Sequence, residues 1–547
     1  MADDAAPVET GRPNEERGPR HWLWSLAGVV AVAILLFVLW WGPWLFTRHP
    51  SSELSDAEEL KAENDVRTTL VQTVAGLAVA AGAFVTYRTF RQNQLEQANR
   101  HDREERTYKL NQSQQVTDTY TKAVEQLGHK EAPVRLGALY SLVSLAQDNP
   151  PRRQTVVDVL CAYLRMPYTP SRRDEPTSGL AATNDATPPA PDEGEPQRDT
   201  VQELQVRQTA QRLLADHLHY PPHTSGTDAQ GTEPSPEAIF WPGISIDLTG
   251  ASLVDLSLRS ASVIRADFSR ATFSGDASFD GATFSGDARF DGATFSGDAR
   301  FDGATFSGDA RFDGATFSGD VWFGKATFFG DARFDEANFH GYGWFEKATV
   351  SGDAWFGRAT FSGHARFDKA TFSGDARFDR GTFSDDARFI EATVSGDAWF
   401  GGATFSGAAW FGGATFSGNA RFGRASFSSH ASFSQATFSG YAWFGKATFS
   451  GNARFDEAAF SGHASFDGAT FSGHALFDKA IFSGKAWFHV TLSGHASFGG
   501  TRILRLDDPE VNGGRRRVWP NGWAVHPDAD DPARGTLVRV ESTAEDG

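Results

Sequence analysis

From Phe268 to Phe488 a large apolar residue recurs at intervals that alternate five and six residues without a slip, and Phe gives way only at Val350 and Val394. Few folds accept such a chain. The eleven-residue unit, for example Ala282-Thr-Phe-Ser-Gly-Asp-Ala-Arg-Phe-Asp-Gly292, fits no helical period, and self-similarity at a fixed spacing is the signature of a solenoid. Small Ala two residues before most of the large centres suits a narrow interior filled layer upon layer. Composition follows from the repeat: 46 Phe and 55 Gly stand beside two Met and one Cys. A single Cys161 excludes a disulfide framework and suits a reducing compartment.

Before Phe268 the centres are strictly five apart: Leu248, Leu253, Leu258 and Val263, with Ala251 and Ala261 two positions ahead of their centres. This pattern resembles the pentapeptide-repeat family, whose unit reads A-(D/N)-L-x-x. With 41 Arg to 10 Lys, it is similar to membrane-anchored bacterial members of actinobacterial type. The resemblance implies a right-handed quadrilateral β-helix with the Ala and the central residue pointing inward. Two eleven-residue units per coil give about 22 residues per coil and a rod of roughly 50 Å. Gly at the end of Thr-Phe-Ser-Gly is expected to supply corner conformations that a Cβ resists.

Two uncharged stretches precede the repeat. Trp22–Phe46 and Thr68–Tyr87 are each long enough to cross a hydrocarbon core of about 30 Å, which predicts a two-helix transmembrane hairpin. Trp residues mark both ends of the first stretch, and small residues four apart, Gly76 with Ala80 and Ala78 with Gly82, mark the second. Arg12, Arg17 and Arg20 precede the first stretch, and Arg88, Arg91, Arg100, Arg103, Arg106 and Lys109 follow the second. That bias predicts a multi-pass cell-membrane protein with both termini cytoplasmic.

The expected organisation is an N-terminal tail at 1–21, spans at 22–46 and 68–87, and an external loop between them at 47–67. A helical stalk with a HEAT-like helix pair occupies 88–165, opened at Pro133 and Pro151, and a Pro- and Thr-rich linker follows at 166–199. A capping helix at 200–220, a second linker at 221–245, the solenoid at 246–498 and a cap with tail at 499–547 complete the chain.

Outward positions decide function in a filled solenoid. With 22 residues per coil one column reads Arg311, Arg333, Trp355, Arg377, Trp399, Arg421, Trp443, Ser465, Trp487. Stacked rungs bring guanidinium against indole, a cation–π ladder. Trp355, Trp399, Trp443 and Trp487 with Arg333, Arg377 and Arg421 are the candidate interaction face. Stabilisation of the sheet is the plainer reading of the same column. Gly two residues after most of these Trp predicts an indole lying flat on its neighbour. A second column, Asp287 to Asp397 in steps of 22, reads as a solvated acidic edge, with loose cation binding as the sharper alternative.

No nucleophile elbow, His-Glu-x-x-His or Cys cluster occurs, so neither catalysis nor a metal or cofactor is expected. Two functions remain. One is a membrane-tethered scaffold that presents a rigid solenoid to cytoplasmic protein partners, a homo-oligomer being left open. The other, implied by soluble family members, is a DNA-mimicking topoisomerase-binding rod. The bilayer is expected as a partner; nucleic acid is not, since net charge is −18.

Overall fold

The computed structural model describes residues 21–46, 56–168, 200–220, 239–504, 519–520 and 522–540. The expected N-terminal tail, most of both linkers, 47–55 of the expected loop, and 505–518 and 541–547 of the expected tail lie outside the described residues. The chain divides into two units, Met1–Gln115 and Val116–Gly547.

In the first unit α1 runs His21–Phe46, and α2 is a single helix of 72 residues, Asp56–Leu127, that ends in the second unit. The expected hairpin of two spans is corrected here. Among the described residues one helix is long and apolar enough to cross a membrane, the Leu60–Leu127 part of α2. Within α1 the apolar helix found among the described residues is Gly28–Gly42, which does not qualify as a span. With one qualifying span, the multi-pass topology with both termini cytoplasmic falls as well.

The second unit opens with the end of α2, then α3 (Ala132–Asp148), a 3₁₀ turn at Pro150–Arg152, α4 (Arg153–Arg165) and α5 (Thr200–Leu218). Proline opens α3 and the turn, positions where its missing N–H costs nothing. Leu139, Leu142, Val156, Leu160, Val206 and Leu214 are buried in one continuous core that includes Ala123 and Leu127 of α2 and runs on into the solenoid. α4 lies on Ile246–Asp247 and α5 on Ser252–Val254, so the helices close the first rung. Gln211 of α5 bonds both backbone groups of Val254, at 2.8 and 3.1 Å, in place of the strand that the first rung lacks.

The repeat folds into a right-handed solenoid whose strands of two or three residues form four parallel sheets of 12, 12, 11 and 12 strands, the last lengthened to 14 by two antiparallel strands beyond the repeat. In chain order the first face carries Ala266, Ala288 and their successors, the second Thr272 and Thr294, the third Ala277 and Ala299, the fourth Thr283 and Thr305. Ala-type and Thr-type faces therefore alternate around the coil. Register is 22 residues through the array, as Ala310 pairs with Ala332 and Thr305 with Thr327. It is 20 in the first coil, where the pentapeptides are strict, and Ile246 pairs with Ala266. At the other end it closes to 21, Thr470 pairing with Thr491.

Inside, each face contributes one column of rings. Phe290 stacks on Phe312 at 4.7 Å and 2° between planes, and Phe312 meets Phe301 of the opposite face edge-on at 5.4 Å and 87°. Offset stacking along the axis and edge-to-face contact across it are the two arrangements an aromatic quadrupole favours. Both valines fall on the fourth face, Val350 before Phe372 and Val394 before Phe416.

The corner glycines correct one expectation. Gly374 of Thr-Phe-Ser-Gly does not have a positive φ; a Cβ there would lie 2.5 Å from the carbonyl oxygen of Gly352, one rung before. Close approach of rungs, not backbone conformation, favours glycine at that corner, where Asp385 and Ser429 replace it in two units. The left-handed corner is the residue before the Ala of each Thr-type unit. Gly281 and Gly303 fill it at φ 63° and 64°, and Lys325, Arg358, Arg380 and Glu391 fill it at 55–58°.

At the far end Trp523–Pro527 and Gly535–Arg539 form an antiparallel hairpin that pairs with Arg502–Ile503 and extends the fourth sheet. Trp519 lies over Phe488 at 5.7 Å, and Trp523 meets Phe498 at 5.2 Å.

A stacked arginine and tryptophan face

The first-face register brings all seven candidate residues into one column: Arg333 pairs with Trp355, Trp355 with Arg377, Arg377 with Trp399, Trp399 with Arg421 and Arg421 with Trp443. Trp487 follows after Ser465. Their side chains form a continuous stack over five rungs. The Arg333 Cζ lies 5.5 Å from the Trp355 ring, Arg377 sits 4.0 Å from Trp355 and 5.9 Å from Trp399, and Arg421 closes on Trp399 at 3.8 Å. Carboxylates hold the guanidinium groups: Asp313 with Arg333 at 3.0 Å, Asp375 with Arg377 at 3.1 Å, Asp397 with Arg421 at 3.3 Å. The Nε1 atoms of Trp355 and Trp399 are buried without an acceptor, so the indoles lie against the sheet with their edges turned inward.

Trp443 leaves the stack. A Cβ on Gly423 would lie 2.7 Å from its ring, and one on Gly445 would strike its Nε1, so this indole rests flat on glycines and is 37% exposed. The expectation of a flat indole on a bare neighbour holds here and not at Trp355 or Trp399. Beside Trp355, Gly357 instead donates its N–H to Asp335 of the rung before, at 2.8 Å. Further along, Trp487 meets the edge of His463 at 5.7 Å. The opposite Ala-type face carries a shorter version, Arg300 on Trp322 at 5.2 Å and Arg366 on Trp344 at 5.0 Å.

The Asp column has a structural task that its sequence did not disclose. Asp331, Asp353 and Asp375 each accept, through Oδ1, the backbone N–H of the residue 22 positions on, at 2.9–3.0 Å. These carboxylates supply acceptors at corners where no strand supplies one. Where the column changes type, Asn419 Oδ1 takes the N–H of Tyr441 at 3.1 Å and His463 Nδ1 takes that of Lys485 at 3.1 Å, while Tyr441 between them interrupts the series. That succession of Asp, Asn and His was the available signal, since all three carry an acceptor at one reach.

A buried ionic cluster in the helical cap also escaped the sequence reading. Glu203 accepts from Arg135 at 3.0 Å, from Arg207 at 3.0 Å and from the Tyr163 hydroxyl at 3.0 Å, and none of the three charged side chains exceeds 6% exposure. Burial, then Glu203, pushes the Tyr163 hydroxyl up to about 12. The signal was positional: Arg135 shares a helical stripe with Leu139 and Leu142, and Glu203 with Val206 and Ala210. Burial likewise raises the Cys161 thiol to about 12, which makes it an inert core residue. A groove of about 470 Å³ lies between α4 and the first rungs, lined by Gln154, Asp158, Asp247, Arg265, Asp267 and Arg289. Its polar groups are largely engaged, Gln154 with both backbone atoms of Ser245 and Asp247 with Arg165 and Thr249.

Among the described residues no group of His, Cys, Asp or Glu could hold a metal ion. Polar groups run in parallel columns here, whereas catalysis needs them to converge. The family model for pentapeptide repeats, in nine copies, matches the chain in overlapping stretches from 258–305 to 444–492. No curated protein and no solved structure matches it. With a repeat of that kind and outward columns that run in parallel, the array forms a β-solenoid scaffold. Residues 258–492 match the family model for pentapeptide repeats, and the solenoid they build is of that kind.

Proposed function

We propose that the protein is a scaffold tethered to a membrane by α2, which offers the first face of its solenoid to protein partners on the cytoplasmic side. The observation that carries the tether is the Thr68–Tyr87 stretch of α2. It has no charged residue, and its apolar side chains are uncovered, Leu77 and Val79 at 66% and 74% exposure. Lipid is the solvent in which such a surface costs least. Arg88, Arg91 and the basic residues after them assign the solenoid side to the cytoplasm. The partner face rests on the half-buried Arg and Trp column, residue types that dominate contact energies when desolvated. Against the DNA-rod alternative stands the Asp column, whose carboxylates are spent on backbone N–H groups and on Arg377 and Arg421.

Alkaline carbonate extraction tests the tether. The full-length chain is expected to stay with membranes, and a chain lacking 68–87 to be released. Cysteine placed at Ser113 is expected to resist an impermeant thiol reagent in intact cells. Release of the full-length chain, or rapid labelling at that position, overturns the proposal.

A further inference from the structure

The first face is complementary to itself when reversed, and we infer that it is the contact surface between two antiparallel copies of this chain. The inference rests on reading that face as a contact face and is independent of the membrane tether. A two-fold axis lying in the face along the strand direction, midway between the Arg377 and Trp399 rungs, turns the outward column onto itself in reverse. It sets Arg377 opposite Trp399, Trp355 opposite Arg421, Arg333 opposite Trp443 and Arg289 opposite Trp487, all members of one register. Four of five rungs thus oppose a guanidinium to an indole; the fifth sets Arg311 against Ser465.

The flanking columns obey the same reversal. Corner residues change from Asp in the first six rungs to Asn419, Tyr441, His463 and Lys485 in the last four. The axis places Asp287 against Lys485 and Asp309 against His463, and at the left-handed corner Glu336 against Lys446. Three pairs oppose like charges: Asp375 with Asp397, each held by an arginine of its own chain, Asp313 with Asp467, of which Asp313 is held by Arg333, and Arg358 with Arg424, of which Arg358 is paired with Glu336 of its own chain. The opposite Ala-type face has a shorter version of this property: about an axis midway between the Trp344 and Arg366 rungs it sets Trp344 against Arg366, Trp322 against Arg388 and Arg300 against Trp410, three pairs to the four of the first face. An isologous pair needs such a self-complementary patch. Ten rungs at about 4.8 Å, one strand wide, bury roughly 1,000 Å² over both copies, the lower limit for a specific contact.

A charge swap tests this on the full-length chain in mild detergent, by light scattering and sedimentation velocity at concentrations up to tens of micromolar. The native chain is expected to dimerise, and added salt to weaken the dimer. Lys446→Glu sets two carboxylates together at both symmetry-related contacts and should weaken it about tenfold or more. Glu336→Lys combined with Lys446→Glu should restore it. Both changes use side chains that this corner already tolerates, Glu391 and Lys325 having the same backbone conformation. Trp410→Ser on the opposite face should leave the dimer unchanged. Register is read from single cysteines at exposed positions: Lys446→Cys mixed with Glu336→Cys should crosslink through a short bifunctional reagent, and Lys446→Cys alone should not. A native chain that stays monomeric, a dimer indifferent to Lys446→Glu, no rescue by the double swap, or crosslinking of Lys446→Cys to itself would each overturn the inference. A monomer that still remains in membranes after carbonate would overturn it while leaving the tether intact.

Discussion

Glycine does two different things in adjacent corners, and the two respond oppositely to substitution. At Gly374 an added Cβ meets the carbonyl of Gly352 and the carboxylate of Asp353, both in the rung before. Gly374→Ala is expected to cost about 1–3 kcal/mol, measured as a lower thermal midpoint of the solenoid. At Lys325 the backbone is left-handed, φ 55°, and Gly281 and Gly303 fill the same corner in the two rungs before. Lys325→Gly is expected to stabilise by up to about 1 kcal/mol, because relief of the left-handed strain exceeds the entropy that glycine adds to the unfolded chain. His217 gives a pH signature. It stacks on Trp241 at 4.0 Å, and burial lowers its pKa from 6.5. The unfolded chain then binds the proton more readily than the folded one, so stability is retained above pH 6.5 and falls as pH drops below it. Denaturant titrations from pH 7.5 downward should locate that loss in the helical cap, and His217→Phe should remove the histidine's share of it.

The elements are held by ladders and by one buried cluster. Asp353 accepts the N–H of Asp375 and donates its own to Asp331, both at 2.9 Å. Asp353→Asn keeps the acceptor and should be close to neutral, as Asn419 shows by serving Tyr441 in the same way. Asp353→Ala orphans the corner N–H and should cost about 1 kcal/mol, read from chemical denaturation. The Glu203 cluster joins α3, α4 and α5 through Arg135, Tyr163 and Arg207. Removing the carboxylate strands two buried guanidinium groups, so Glu203→Ala should destabilise the cap by about 3–5 kcal/mol. Replacing the whole set with apolar residues of like volume would be milder, because burying three charges is itself costly.

For the solenoid as a whole the ends are the exposed risk. Every interior strand pairs on both sides, and only the terminal rungs offer open edges. The helices of the cap cover the first rung, while Trp519, Trp523 and the hairpin cover the last. A chain ending at 504 should therefore fold its array and then self-associate into species that grow with concentration, visible by light scattering. If it stays monodisperse at every concentration, the hairpin is not needed as a cover.

The interior was legible in the amino-acid order because it obeys arithmetic. A large residue every five or six positions, with a small one two before, sets which side chains point inward, and two units per coil then set which outward residues share a column. That is why Arg333, Trp355, Arg377, Trp399 and Arg421 could be placed on one face before any coordinate was known. What each outward residue does there was decided in three dimensions. Contacts between residues 22 apart depend on which neighbour a side chain leans toward, so Trp399 stacks on Arg421 while Trp443 lies on Gly423. The same distance made Asp353 a backbone acceptor instead of a solvated charge, and made Gly374 a matter of space instead of φ. Glu203 and Arg135 are 68 residues apart, and no local period announces a partner at that range.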